Sequence, residues 1–308
     1  MSKEKPTGRD GAIEIGAGTY SLTSETQQFL NPRHVSKYRK DASVVIINEP
    51  HESSEGHFNL FKGLEAFFAS NPELIQDTIF LSEGTAANEP ISVQELIDED
   101  PRPTDRTIRQ VLQSHLITGY MAYEWKHQQG IPIIGTEDEG LYDLSRRFAS
   151  LCREDPEAIF QHLKYRDGTE FDIPLRHAWG FIIAARNKRI AQTLMEQIGI
   201  YNNPMLFVAW DHIKDARHRF MKRGENLIKE RFVAARHMGS LGQLVFPWSR
   251  AGENRWLYEY VTEDTETFDI HHYLEEERIG YTFLEPEGID NASPEDIEDY
   301  NRVFRDQR

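Results

Sequence analysis

A single cysteine, Cys152, stands in a chain of 308 residues, which excludes an internal disulfide and any cysteine-rich zinc cluster. Long apolar runs are missing too. The most apolar stretches are Val44–Ile47, Gly180–Ala185 and Pro204–Trp210, each far shorter than the roughly 20 residues a membrane-spanning helix needs. The opening residues MSKEKPTGRDGA are polar, and no apolar segment follows a basic start. No signal peptide is read there, so a soluble, cytoplasmic protein is expected, with a signal-independent secretion route still compatible. Positive charge is scarce: 35 Lys and Arg against 51 Asp and Glu leave a formal charge of −16. That balance argues against a general nucleic-acid binder, because a phosphate backbone is held by clustered Lys and Arg. Repeats and low-complexity linkers are absent from the sequence as well. What is present, 39% hydrophobic and 11% aromatic residues, can build a core and argues against wholesale disorder. At roughly 150 residues per domain the length admits two domains, and one large α/β domain fits equally well.

Apolar periodicity divides the chain into segments. Val44–Ile47 is a β-branched run expected to form a buried strand, followed by a loop over Asn48–Gly56. Phe58, Phe61, Leu64, Phe67 and Phe68 recur at helical spacing until Asn71-Pro72 stops them. Thr78–Leu81 and Ile131–Ile134 predict further strands, with a long amphipathic helix over Arg106–Gln128 between them. A helix carrying Leu141, Leu144, Phe148 and Leu151 follows, then a helix over Gly180–Ile198 and a fourth strand over Met205–Ala209. Strands joined by helices are most simply parallel. The expected fold class is therefore α/β: three layers, a mostly parallel central sheet flanked by helices, and a C-terminal β-containing extension. The expected divisions are an N-terminal extension over 1–40, an α/β core over 41–238 and an acidic region over 239–308 that packs on or extends the same domain. In that last region Leu244–Phe246 and Trp256–Val261 flank a turn and predict a hairpin, while Phe268–Tyr273 and Gly280–Leu284 predict strands.

All four core strands end in residues with chemical capacity. Glu49 and His51 follow the first, Glu83 the second, Glu137 and Asp138 the third, Asp211 and His212 the fourth. In open parallel sheets, sites form at the carboxyl ends of strands. One acidic residue after a strand is ordinarily a helix cap, but four such ends together point to a site. His51, Glu83 and His212 make a normal ligand set for a divalent metal such as Mn, Co, Fe or Zn, with a position left for water. Such a metal makes hydroxide available near neutral pH. Without metal, a histidine can serve as general base activating water while a carboxylate orients it; Glu49, two residues before His51, is a candidate ligand, base or orienter. In the Gly180–Ile198 helix, Ile183, Ile190, Leu194 and Ile198 mark an apolar stripe; Asn187 falls within it and Arg186 at its edge. Arg186 then either bridges to a carboxylate, tying helix to sheet, or meets an anionic substrate group. Asn187, Asp138 and Asp211 are candidate substrate contacts.

The ordered motifs NEPH, LSEG, ARNKRIA and AWDH, spread over Val44–His212, resemble a superfamily that joins the TraB proteins, the Tiki proteases, the ChaN haem-iron proteins and the erythromycin esterases. The first motif is most similar to the ChaN branch. The resemblance implies a site of His51, Glu83, Arg186 and His212 with Glu49 and Asn187 in support, binding a divalent metal in the protease-like members and using histidine as a base in the esterases. Asn48 and Ala209 stand where the superfamily has the glycines of its two GxxH motifs. Asn tolerates a positive φ and Ala does so poorly, so an altered turn is expected.

Other segments read more simply. Ser82 lacks the G-x-S-x-G elbow, Cys152 lies in an amphipathic helix, and Gly16-Ala17-Gly18 lacks a preceding strand and the third glycine of a dinucleotide fingerprint. His271 and His272, adjacent on a strand, would face opposite ways. Tyr120 and Tyr123 would serve as haem ligands only on a strict ChaN analogy. Lys214–His237 carries eight basic residues against three acidic, and 253–308 carries 17 acidic against five basic. The basic segment is the candidate face for an anionic substrate or partner. The leading expectation is a metal-dependent hydrolase of a peptide or ester bond, acting on a small molecule or peptide. The alternative is a non-catalytic ligand-binding or effector domain that keeps the fold, for example a haem-iron binder.

Overall fold

A computed structural model describes residues 13–15, 18–20, 22–35, 43–49, 54–88, 129–155, 162–165, 170–174, 176–209, 212, 244–245 and 270–286. In chain order the elements are β1 (Ile13–Ile15), β2 (Gly18–Tyr20), α1 (Ser24–Phe29), β3 (Leu30–Val35), β4 (Ser43–Asn48) and α2 (Ser54–Ser70). A 3-10 turn over Pro72–Asp77 leads to β5 (Thr78–Ala86). After these come β6 (Ile133–Glu137), α3 (Glu139–Glu154), β7 (His162–Tyr165), β8 (Glu170–Pro174), α4 (Arg176–Ile198), β9 (Asn203–Val208), β10 (Leu244–Val245), α5 (Ile270–Glu276) and β11 (Gly280–Pro286).

Six strands form the main sheet in the order β3-β11-β4-β9-β5-β6. β11, β4, β9, β5 and β6 run parallel, and β3 closes one edge antiparallel to β11. The fold is thus α/β, a mixed and mostly parallel sheet flanked by helices, as the strand-helix alternation implies. The last described strand is interior to the sheet: β11 pairs with β4 from Gly280↔Ser43 to Leu284↔Ile47 and with β3 on its other side. A segment far along the chain therefore supplies an interior strand.

Both faces of the sheet are apolar because its strands are buried on both sides. Alternation along β4 sends Val45 and Ile47 into one cluster, where they meet Leu60, Leu64, Phe67 and Phe68 of α2, and Val44 and Ile46 into the other, where they meet Ile190 and Leu194 of α4. Phe80 and Phe207 meet edge to face across β5 and β9 at a centroid distance of 5.2 Å. Burying one such side chain contributes about 1.5–3 kcal/mol. On α2, Gly63 permits close approach to β3; a Cβ there would lie 2.2 Å from Leu30 Cγ. α2 ends as Asn71 Nδ2 donates to Phe67 O at 2.8 Å and Pro72 follows.

Several expectations change. The described part of the strand expected over Phe268–Tyr273 is helical instead: Ile270–Glu276 forms a helix, with Ile270 and Leu274 one turn apart and both buried against the sheet. His271 and His272 accordingly sit on a helix. Leu244–Val245 is a strand, and its partner among the described residues is β7, in the small sheet β10-β7-β8. Trp256–Val261, like the helix expected over Arg106–Gln128, lies outside the described residues. A strand, Ile13–Ile15, does precede the glycine-containing segment, and it pairs antiparallel with Gly18–Tyr20. Among the described residues, no helix is long and apolar enough to cross a membrane.

Candidate functional site

The sheet places its carboxyl-end residues in one row. β4 ends in Asn48, paired with Val208 of β9; β9 pairs with β5 through Phe207↔Ser82; β5 pairs with β6, which ends in Glu137. Glu285, near the end of β11, continues the row beyond β4. Asn48, Glu83, Glu137, His212 and Glu285 are all buried. Neighbouring strands thus gather polar ends that the sequence shows only one at a time.

β5 runs longer than its apolar stretch and carries the bulge that aims Glu83. Its pairing with β6 shifts between Ser82↔Gly135 and Ala86↔Glu137, so β5 carries extra residues there. Gly84, with φ +88°, absorbs the irregularity in a conformation that side chains other than glycine rarely adopt. Ser82 is structural: its Oγ donates to Glu83 O at 3.1 Å, and its own carbonyl accepts from Thr136 Oγ1 at 3.2 Å.

Arg186 reaches down from α4 into this row. Its Nη2 donates to Glu83 Oε1 at 2.7 Å and also to Glu137 Oε1, while its Nε lies 3.2 Å from both Glu137 oxygens. Of the two readings of Arg186, the bridge from helix to sheet forms, and it is shared between two carboxylates. Burial works against the charged guanidinium, but Glu137 and then Glu83 outweigh it and push its pKa above the ordinary arginine value. Glu83 Oε2 is fixed from the other side by the backbone N–H of Ala209, 2.6 Å away. The Tyr142 ring of α3 covers the cluster, with Arg186 Cζ 5.5 Å from its centroid. Burial raises the Tyr142 pKa, with Arg146 and Arg186 opposing it.

His212 completes the group. Its Nδ1 is hydrogen-bonded to Asn187 Oδ1, an amide oxygen that can only accept, so Nδ1 donates. Its Nε2 lies 3.2 Å from Glu83 Oε1 without hydrogen-bond geometry to it. Glu83, Glu137 and His212 each bring one ligand atom to within 4.8 Å of the others. One imidazole nitrogen and two carboxylates are donors suited to a divalent transition metal.

Of the residues the sequence singles out, Glu83, Arg186, Asn187 and His212 converge. Glu49 is buried at the end of β4 with its N–H on Val208 O, but its carboxylate is not part of the converging ligand group. Asp138 acts locally, its Oδ1 accepting the Leu141 N–H at 3.0 Å to cap α3. His51, Asp211, Tyr120, Tyr123 and the Lys214–His237 segment lie outside the described residues. Glu137 is visible in the sequence as a strand-end acid, but nothing local ranks it above its neighbour Asp138. Glu285 follows the same pattern just past Gly280–Leu284, a signal that sequence reasoning missed. Neither Asn48 nor Ala209 has a positive φ, so the glycine-dependent turn of a GxxH motif is not used, and an alanine N–H serves as the anchor for Glu83. A scan against protein-family models, a search of curated proteins and a search of solved structures each found no match to this chain.

Proposed function

We propose that the cluster is the centre of a divalent-metal-dependent hydrolase, as the resemblance implies for the protease-like members, here with Glu83, Glu137 and His212 as ligands. The observation that supports it most is the setting of His212. One ring nitrogen held by a side-chain oxygen while the other stays within reach of further ligand atoms is how metal-binding histidines are oriented. The three ligand atoms converge within 4.8 Å of one another in a buried site, a donor set that suits a cation.

A bound metal of the Mn, Co, Fe or Zn class would supply a water of lowered pKa. The chain's own groups do the rest. Asn187 holds the His212 ring, and the Ala209 N–H holds Glu83. Arg186 provides a fixed positive charge where negative charge develops on the attacked carbonyl oxygen, and burial strengthens that interaction. His51, three residues beyond Asn48, is proposed as the base or as a further ligand, with Glu49 as its orienter; the bond broken is a peptide or an ester.

One observation favours the second reading, a non-catalytic ligand-binding or effector domain: Arg186 already brings a cation to both carboxylates. Elemental analysis of the purified chain, followed by calorimetric titration with Mn²⁺ and Zn²⁺, separates the two. The hydrolase reading expects about one equivalent of metal, lost in His212→Ala and Glu137→Gln, and hydrolysis of a peptide or ester lost with it. Absence of metal binding together with absence of hydrolysis sinks it and leaves the binding domain.

A further inference from the structure

We infer that Asn48 forms a recognition subsite beside this centre, and that it takes an amide group of the substrate flanking the bond under attack. The inference rests on the hydrolase reading for its catalytic role but not for the subsite itself.

Asn48 follows four consecutive apolar residues, Val44–Ile47, at a place where a fifth would continue the core. It is 1% exposed, yet neither its Oδ1 nor its Nδ2 has a hydrogen-bond partner among the described residues. A buried carboxamide left open at both its donor and its acceptor opposes folding, and an apolar side chain would remove that penalty. Such groups in native structures call for an explanation, and a ligand is one.

Its placement points to the cluster. Val44 and Ile46 lie in the apolar cluster shared with α4, and Val45 and Ile47 in the opposite one. Alternation therefore turns Asn48 toward the α4 layer, the layer from which Arg186 and Asn187 reach Glu83, Glu137 and His212. β9 separates β4 from β5. Two strand spacings, about 10 Å, thus lie between Asn48 and Glu83, about three residues of an extended chain.

The chemistry of the side chain selects the ligand. Nδ2 donates and Oδ1 accepts, side by side in one plane. A secondary amide returns both, its C=O to Nδ2 and its N–H to Oδ1. An ester has only acceptors and leaves Oδ1 facing another oxygen. The substrate is accordingly a chain with amide links, such as a peptide, whatever bond is cut within it.

The test uses the full chain with two probes, a capped tri-alanine peptide and its analogue with esters in place of the backbone amides, and the variants Asn48→Ala and Asn48→Leu. Thermal shift and calorimetric titration read binding, and hydrolysis is followed where it occurs. The expected result is amide binding stronger than ester binding by about 10- to 100-fold in the parent, with the preference abolished in both variants. Both variants should melt no lower than the parent and bind Mn²⁺ unchanged, since they remove an unpaired polar group and no ligand. An absent amide preference in the parent, a preference that survives both substitutions, or a lowered melting temperature in both overturns the inference. If no metal binds but the Asn48-dependent amide preference holds, the metal centre fails and the subsite stands.

Discussion

Arg186→Met removes the guanidinium that Glu83 and Glu137 share while keeping most of the side-chain volume. The three groups are buried, and Arg186 touches both carboxylates at hydrogen-bond distance. Deleting one partner of a buried ion network leaves uncompensated charge, at a cost of about 3–5 kcal/mol. A whole domain is typically stable by only about 5–15 kcal/mol. At about 2–4 °C per kcal/mol the melting temperature should fall by about 6–20 °C. Urea unfolding followed by circular dichroism, in chelator, measures the loss, and the slope against urea should not change. Three comparisons sharpen it. Arg186→Lys keeps the charge but loses the fork that serves two carboxylates, and should fall between. Added Mn²⁺ should recover part of the loss in Arg186→Met, because the cation replaces the missing charge at the same oxygens. The triple variant Arg186→Met/Glu83→Gln/Glu137→Gln should be more stable than Arg186→Met alone. A loss below about 1 kcal/mol in chelator, the value of an exposed pair, would refute the account of a desolvated network.

Asn187→Ala takes the acceptor from His212 Nδ1–H and should lower Mn²⁺ or Zn²⁺ affinity about 10- to 100-fold by calorimetry, with the ligands themselves intact. Gly63→Ala drives a Cβ into Leu30 at the junction of α2 and β3 and should destabilise by about 1–3 kcal/mol in urea unfolding. Burial raises the Tyr142 pKa above 10, so on alkalinisation the unfolded chain loses this proton first and the folded state loses stability as pH rises above 10. Tyr142→Phe should flatten that alkaline decline, measured as melting temperature against pH; an unchanged slope counts against burial as the cause.

The strands of the core are readable because their residues declare themselves locally. Val44–Ile47, Thr78–Leu81 and Met205–Ala209 are short apolar runs next to turn signals, and β4, β5 and β9 contain all or nearly all of them. Arg186 and Asn187 are readable because polar residues interrupt the apolar stripe of α4. Glu137 is harder. Neighbouring residues at a strand end face opposite ways, and the exact last residue of the strand decides which one turns toward the cluster. Here β6 continues through Glu137, and Asp138 falls into the cap of α3. The segment over Phe268–Tyr273 misleads because a seven-residue helix leaves too few turns for its period to show. The β7–β8 hairpin does carry a local signal, Asp167-Gly168 between two alternating segments.

By itself, the sequence determined the class of fold and the row of polar strand ends, since side-chain period and β-branching act within a few residues. Only the tertiary structure decided that β11 lies between β3 and β4, that one arginine serves two carboxylates, and that an alanine N–H holds Glu83. Those contacts join residues 103 and 126 positions apart, for Arg186 and Ala209 with Glu83. No local pattern specifies such pairings; they follow from which strands become neighbours once the apolar faces are buried.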